Sequence, residues 1–365
     1  MINILIPLAG KNTFKINEIS TFPRVLNEVD GKLLIERAVE PFINLRMDKK
    51  ITVAMPEKEA EKYQLNKVIP LLGPNIYTCP INGNTQGAAC SALLAIESLN
   101  LDMPLVISSF EQVLELDLTP YIEKFIQEDV DAGVLTFEAI HPKWSFVKTD
   151  AQGYVTQAAE KMPISKQAIA GVYFFKTANC FIEAAKSMIR KDVKTNNSFY
   201  IAPSLNEIIL QEGVVKAIEI DKSKYFHIND DHSLDVFENN IFDNKEQKKK
   251  KIKKKTKLYI DAFSGKNINK IEELMSVNFS LTDPNTKITG RKEVLEYLNK
   301  IFNKSNELHF LEKNIFITDD DQSIIEFTLK IDNQIFIGTD VIYWSKTQEM
   351  TSMDAYLYEI DHEKI

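Results

Sequence analysis

Three cationic side chains, Lys11, Lys15 and Arg24, follow the apolar run at residues 2–8 in the stretch MINILIPLAGKNTFK…FPRV. A β-branched run that ends in Ala9-Gly10 and turns polar is the pattern of a first strand entering a phosphate-cradling turn. There, backbone N–H and ammonium groups meet anionic oxygens. Such turns are rich in glycine, whereas here Gly10 stands alone before Lys11, Asn12, Thr13 and Phe14. Three other places carry polar or glycine residues at the ends of apolar runs: residues 83–87 with Gln86 and Gly87, residues 108–112 with Glu111, and Glu160-Lys161 with Gly171 beyond it. Each residue also has a plain structural reading, a lysine or arginine as a solvated loop charge and Glu111 as a turn cap.

These places are useful only if a sheet brings them together. Residues 2–8, 51–55, 105–108, 132–138 and 171–175 read as strands. Residues 33–42, 57–63, 86–97, 118–128, 178–189 and 204–212 read as helices. Alternation of this kind predicts an α/β unit, a mixed and mostly parallel sheet with helices on both faces. Ligands of such sheets bind at the carboxyl ends of the strands, where the four candidate segments fall.

The run KEQKKKKIKKKTK at residues 245–257 holds nine lysines and one glutamate, which no core absorbs. It reads as a solvated, self-repelling linker or helix start over residues 245–256, dividing a unit at 1–244 from one at 257–365. An anionic nucleic-acid or membrane surface is its other reading. The second unit begins with helical patterns at 257–263 and 267–274, and a further helix is expected at 291–302. Strands at 279–282, 307–317, 322–331, 334–343 and 349–358 predict an α+β fold with a curled sheet.

Composition narrows the function. The chain has 365 residues, 44% of them hydrophobic and 10% aromatic, enough for two ordinary cores. Its formal charge of -8 disfavours general nucleic-acid binding, because phosphate backbones reward excess Lys and Arg. Cys79, Cys90 and Cys180 have no paired or metal-type spacing, so a reduced, cytoplasmic protein is expected. The start lacks the features of a signal peptide, and no apolar run reaches the roughly 20 residues of a membrane helix. No nucleic-acid or membrane partner is therefore expected.

The segments IPLAGKNTFK…FPRVLNEVDGKLLIERAVEPF, GNTQGAACSALLA, LTFEAIHPKWSFVKTDAQGYVTQAAEKMPIS…AGVYFFK and SFYIAPSLNEII span nearly all of residues 1–240. Together they resemble the nucleotidyltransferases that activate sugar phosphates, especially bacterial members from capsule and surface-polysaccharide clusters. The resemblance implies transfer of a nucleotidyl group from a nucleoside triphosphate to a sugar phosphate or small phosphorylated alcohol, with pyrophosphate released and Mg²⁺ as cofactor. It implies phosphate contacts from Lys11, Lys15 and Arg24, and close approach of the nucleotide at Gly10, Gln86 and Gly87. Glu160, Lys161 and Gly171 would hold the sugar phosphate, with Tyr200, Pro203 and Asn206 alongside. The chain departs from the family pattern at its catalytic letters. The second loop glycine is Asn12, the loop arginine is Phe14, and the Pro-Lys-Pro lysine is Arg24. The first metal aspartate appears as Glu111, and the second falls on His227, with Asp230 or Asp231 as substitutes. These departures leave open a module that binds nucleotide or sugar phosphate but has lost its chemistry.

KLYIDAFSGKN, FSLTDPNTKITGRKEVLEYL and GTDVIYWSKTQEMTSMDAYLYEI, within residues 257–361, resemble the SnoaL-like superfamily. That superfamily has the cone-shaped fold of nuclear transport factor 2 and ketosteroid isomerase. Tyr259, Asp283 and Asp340 fall where the isomerase branch keeps its catalytic set, which implies proton transfer, and strand alternation would line that pocket with Phe279, Phe310, Phe336, Tyr343, Trp344 and Tyr356. The superfamily equally implies a binding pocket or a homodimer formed through this C-terminal unit.

Overall fold

The computed structural model describes residues 1–8, 13–14, 16, 22–82 and 85–360. They form two compact units, residues 1–238 and 239–365. In the first, the strands are β1 (Ile2–Pro7), β2 (Glu28–Val29), β3 (Lys32–Leu33), β4 (Lys49–Pro56), β5 (Ile76–Ile81), β6 (Leu105–Ser108) and β7 (Gln112–Leu114). They continue with β8 (Ala132–Glu138), β9 (Ser145–Thr149), β10 (Val155–Glu160), β11 (Gln167–Phe175), β12 (Val215–Glu219) and β13 (Tyr225–His227). The helices are α1 (Leu34–Ile43), α2 (Glu57–Lys62), α3 (Leu65–Val68), α4 (Ala88–Leu94), α5 (Thr119–Gln127), α6 (Ala178–Arg190) and α7 (Ser204–Leu210).

The main sheet runs β10-β9-β11-β6-β1-β4-β5, and β8 pairs with both β11 and β12. β1, β4, β5 and β6 are parallel, with Ile4 opposite Ile51 and Val106. β11 is antiparallel to β6, β8 and β9. The sheet is therefore mixed, as expected. β1 is buried on both faces because helices cover each side, which is why its sequence is an unbroken apolar run. One core packs Phe42, Phe125 and Phe146 on one face, and another packs Phe175, Phe181 and Leu205 on the other.

A single helix, α8 (Asp231–Ser264), crosses the boundary between the units. Residues 245–256, expected as a solvated linker or helix start, are the middle of this helix. Lysine is a good helix former, and its stem can lie along apolar surface while the ammonium stays wet. Ile252, Thr256, Tyr259, Ile260 and Phe263 are buried at helical spacing. Lys249 pairs with Asp319 at 2.7 Å and Lys257 with Glu312 at 3.3 Å, which relieves the repulsion along the run. No helix among the described residues is long and apolar enough to cross a membrane.

The second unit adds α9 (Ile268–Leu274), β14 (Met275–Thr282), β15 (Lys287–Thr289), α10 (Arg291–Lys304), β16 (Leu308–Ile317), β17 (Gln322–Ile331), β18 (Gln334–Trp344) and β19 (Met350–Ile360). Its sheet runs β15-β14-β19-β18-β17-β16, antiparallel except between β14 and β19. The inner face meets the end of α8, α9 and α10 around Phe279, Phe302, Phe310 and Phe327. Strand alternation places Asp340, Ile342 and Trp344 inward. The same alternation sends Tyr343 and Tyr356, expected in the wall, to the outer face, where Tyr356 is 62% exposed.

Candidate functional site

A pocket of about 630 Å³ opens at the carboxyl ends of β1 and β6. The chain turns there from β6 into the 109–111 loop, and β10 ends opposite in Glu160-Lys161. Glu111, Gly87, Glu160, Lys161 and Gly171 line this one space, so the sheet brings together candidates spread over 84 positions of sequence (171 − 87 = 84). Gln86 is exposed and is not among the residues that line this pocket; its backbone carbonyl accepts from Phe199 N at 2.7 Å. Gly10, Lys11 and Lys15 lie outside the described residues.

The Glu160 carboxylate is half-buried and accepts a short hydrogen bond from Ser145 Oγ. Burial pushes its pKa up, against the Ser145 hydrogen bond and the neighbouring Lys161 charge. Lys161 takes a left-handed backbone at φ 55°. Its Nζ donates to Tyr200 Oη at 2.8 Å and lies 4.8 Å from that ring's centroid. The strand carrying this pair is fixed from behind by Asn206, whose amide donates to Ala158 O and accepts from Ala158 N, both at 2.8 Å. Asn206 therefore braces β10, which accounts for its place in the matched segment.

Beside this group lies an aromatic wall of Trp144, Tyr173, Tyr225 and His227, with Lys161 N donating to Trp144 O at 3.0 Å. The Trp144 and His227 rings meet edge to face at 4.9 Å. Burial, aided by Lys143, holds the His227 imidazole down to about 4, so it is neutral at pH 7. Burial also pushes the Tyr173 and Tyr225 hydroxyls well up, so both remain donors. Lys143 Nζ sits 4.5 Å from the Trp144 ring centroid and also lines the pocket. Lys143, Ser145, Gln112 and Tyr225 are site residues that sequence reasoning missed. For the first two the signal was a Lys-Trp-Ser triplet entering a short strand.

Gln112 is 2% exposed. Its Nε2 donates to Ser108 Oγ at 2.9 Å and Gly171 O at 3.2 Å, while its Oε1 is buried beside Gly171 without a hydrogen-bond partner. Gly171 has φ 64°, and a Cβ there would meet Gln112 Oε1 at 2.0 Å, so glycine makes room for this amide.

The remaining candidates are committed to protein partners. Arg24 donates from one guanidinium nitrogen to Asn229 O and pairs through the other with Asp231 at 3.2 Å. Glu111 is half-buried; burial raises its carboxyl, and Arg24 and Lys161 oppose that rise. Asp230 accepts from Ser233 N at 2.7 Å and caps α8, which lowers its pKa. That cap is the role the structure gives the residue that the family resemblance offered as a substitute metal ligand. Among the described residues, no three His, Cys, Asp or Glu side chains converge as a metal site.

In the second unit, Tyr259 and Asp340 are 1% and 3% exposed; burial raises the tyrosine's pKa, and the nearby Asp340 carboxylate adds to the rise. Asp283 stands apart from them in its bonding. It accepts from Asn285 N, Thr286 N and Tyr297 Oη, each at 2.8 Å, and so closes the turn after β14. An aspartate-proline pair at a strand end makes that local closure the stronger demand.

Residues 257–365 match the family described as a SnoaL-like domain. The N-terminal part of the chain has the fold of nucleotide-sugar pyrophosphorylases. It is similar to a nucleoside-diphosphate-sugar pyrophosphorylase from Vibrio cholerae RC9, at 21% identity and a TM-score of 0.58, over 65% of this chain and 99% of that one. A Bacillus anthracis protein described as a glucose-1-phosphate thymidylyltransferase, solved in complex with a sucrose, gives 17%, 0.51, 65% and 93% in the same order. A UDP-glucose pyrophosphorylase complexed with UDP-glucose gives 15%, 0.54, 67% and 100%. At these identities the likeness is one of fold. A comparison with curated proteins gives no match.

Proposed function

We propose that the N-terminal unit transfers a nucleotidyl group from a nucleoside triphosphate to a phosphorylated sugar or small phosphorylated alcohol, in surface-glycan synthesis. The observation that carries this reading is the convergence of Glu160, Ser145 and Lys161 with an aromatic wall in one pocket at the sheet's carboxyl edge. The carboxylate and the serine match ring hydroxyls, and the ammonium matches a phosphate. Trp144 and Tyr225 offer apolar faces to a sugar ring. The fold is shared with a protein solved with UDP-glucose.

In the reaction, an acceptor phosphate oxygen attacks the α-phosphorus. The bond from that phosphorus to the bridging oxygen breaks, and its electron pair leaves with pyrophosphate. Negative charge grows on phosphate oxygens, so the protein contributes position and cationic charge. Lys161 supplies that charge at the acceptor, and Lys143, beside Trp144, adds to it.

Mg²⁺, implied by the family resemblance, does not fit the donors present among the described residues. Glu111 already lies in the field of two cations, Arg24 and Lys161. Asp230 caps a helix, and a neutral imidazole is a poor ligand for so hard an ion. A second reading, a binding module without chemistry, is favoured by the engagement of Arg24 with Asp231.

Nucleoside triphosphates and sugar phosphates should release pyrophosphate in the presence of the protein. Lys161→Ala should lower kcat/KM about 100-fold, the effect of removing one charge-stabilising group. A panel that gives no pyrophosphate, or a Lys161→Ala protein with unchanged rate, would sink the transferase reading.

A further inference from the structure

Arg24 makes an unusual set of contacts for a loop arginine. It begins the turn Arg24–Leu26, and only 20% of its side chain is exposed. Its guanidinium reaches across 205 positions of sequence to Asn229 O and across 207 to Asp231. On its other side it faces Glu111 across a gap of about 10 Å³, bounded also by Thr13 and Phe110. A gap of that size holds about one water. Arg24 Nε and Thr13 Oγ1 are buried without a protein partner, and both residues border that gap. One guanidinium is thus fastened to residues 229–231 at the start of α8 and faces Glu111, in the loop after β6, across that gap.

Those two segments carry the acidic groups of this edge: Glu111 on one, Asp230 and Asp231 on the other. The β7–β13 ladder and the hydrogen bond from Ile228 N to Glu111 O at 2.8 Å hold the two segments side by side, and so bring their carboxylates to one edge. We propose that the Arg24 guanidinium is the cation that offsets this charge, standing at Glu111 in the place of a divalent metal ion. The planar fork suits this, because it presents several donors in fixed directions to a carbonyl and a carboxylate at once. A metal ion brought to Glu111 would meet the charges of Arg24 and Lys161, both of which already act on that carboxylate. The site therefore carries its own charge compensation, and ligand binding there needs no resident metal. The inference concerns the same pocket but does not depend on the transfer reaction.

The test uses Mn²⁺ alone as the probe, with free ion measured by electron paramagnetic resonance in the full-length protein. The natural chain should show no Mn²⁺ site that depends on Glu111: its titration and that of Glu111→Gln should coincide. Arg24→Gln should bind Mn²⁺ roughly tenfold more tightly than the natural chain, as expected when a nearby like charge is removed. Arg24→Gln/Glu111→Gln should lose that gain, and Arg24→Lys, which keeps the charge, should not show it. A stoichiometric site in the natural chain that vanishes in Glu111→Gln overturns the proposal, as does a folded Arg24→Gln protein with no gain. Circular dichroism establishes the folding of each variant. If Arg24→Gln does not fold, the comparison of the natural chain with Glu111→Gln decides alone.

Discussion

Asp340→Asn will make the C-terminal unit more stable than the natural chain at pH 8 and will abolish a pH dependence that the natural chain shows. Asp340 is 3% exposed on β18, and its Oδ1 has no hydrogen-bond partner. Burial raises its carboxyl from the ordinary 3.8 to about 8. Between these values the folded chain keeps a proton that the unfolded chain releases. Stability from this group is therefore intact below about pH 4, declines as pH rises and levels off above about pH 8. Roughly four pH units at 1.36 kcal/mol each make the full loss about 5 kcal/mol. Asparagine does not titrate, so the variant should be flat over this range. Its extra buried donor costs about 1–3 kcal/mol, which leaves it the less stable protein at pH 4 and the more stable one at pH 8. Hydrogen exchange of β17, β18 and β19 amides in denaturant, on the full chain at both pH values, reads this directly. Parallel profiles for the two proteins would show that Asp340 ionises freely.

Gly87→Ala should destabilise the N-terminal unit by about 3 kcal/mol, near the upper end for strained backbone. Gly87 has φ 118°, which side chains rarely adopt, and a Cβ there would stand 2.3 Å from Phe199 O. The contact cannot relax easily, because Phe199 N donates to Gln86 O at 2.7 Å and Ala89 N donates to Phe199 O at 3.1 Å. The same zipper sets Ser198 and Tyr200 at the pocket wall. The variant should therefore also weaken sugar-phosphate binding. Thermal unfolding and calorimetry check the two effects, and an unchanged melting curve would contradict the assigned close approach. Gly87 thus serves a close backbone contact within the chain as well as lining the pocket.

The contrast between local and long-range information explains which features could be read in advance. β6, β8 and β17 are dense apolar or alternating runs, and their periodicity alone placed them to the residue. β9 and β10 escaped notice because they are short and half polar, with Gln157 and Lys148 facing outward. They are the strands that present Ser145 and Glu160, so this side of the pocket was only partly legible. The lysine run was read by its charge. Its helical burial pattern at Ile252, Thr256 and Tyr259 was the signal that should have prevailed. The engagement of Arg24 with Asp231 and of Asp230 with Ser233 depends on chain geometry, which residue types alone do not encode. Tyr343 and Tyr356 were assigned inward although alternation with buried Ile342 and Ala355 excludes it.

The central claim is that the pocket at the carboxyl edge of the N-terminal sheet joins a nucleotide to a phosphorylated acceptor. Its most direct measurement is label transfer from an α-³²P nucleoside triphosphate, across a panel of sugar phosphates and phosphorylated alcohols. The account predicts that label moves into an acceptor-linked product in amounts equal to the pyrophosphate released. Label that stays in the triphosphate for every acceptor, while calorimetry shows the same compounds bound, would contradict it and leave a binding module in its place.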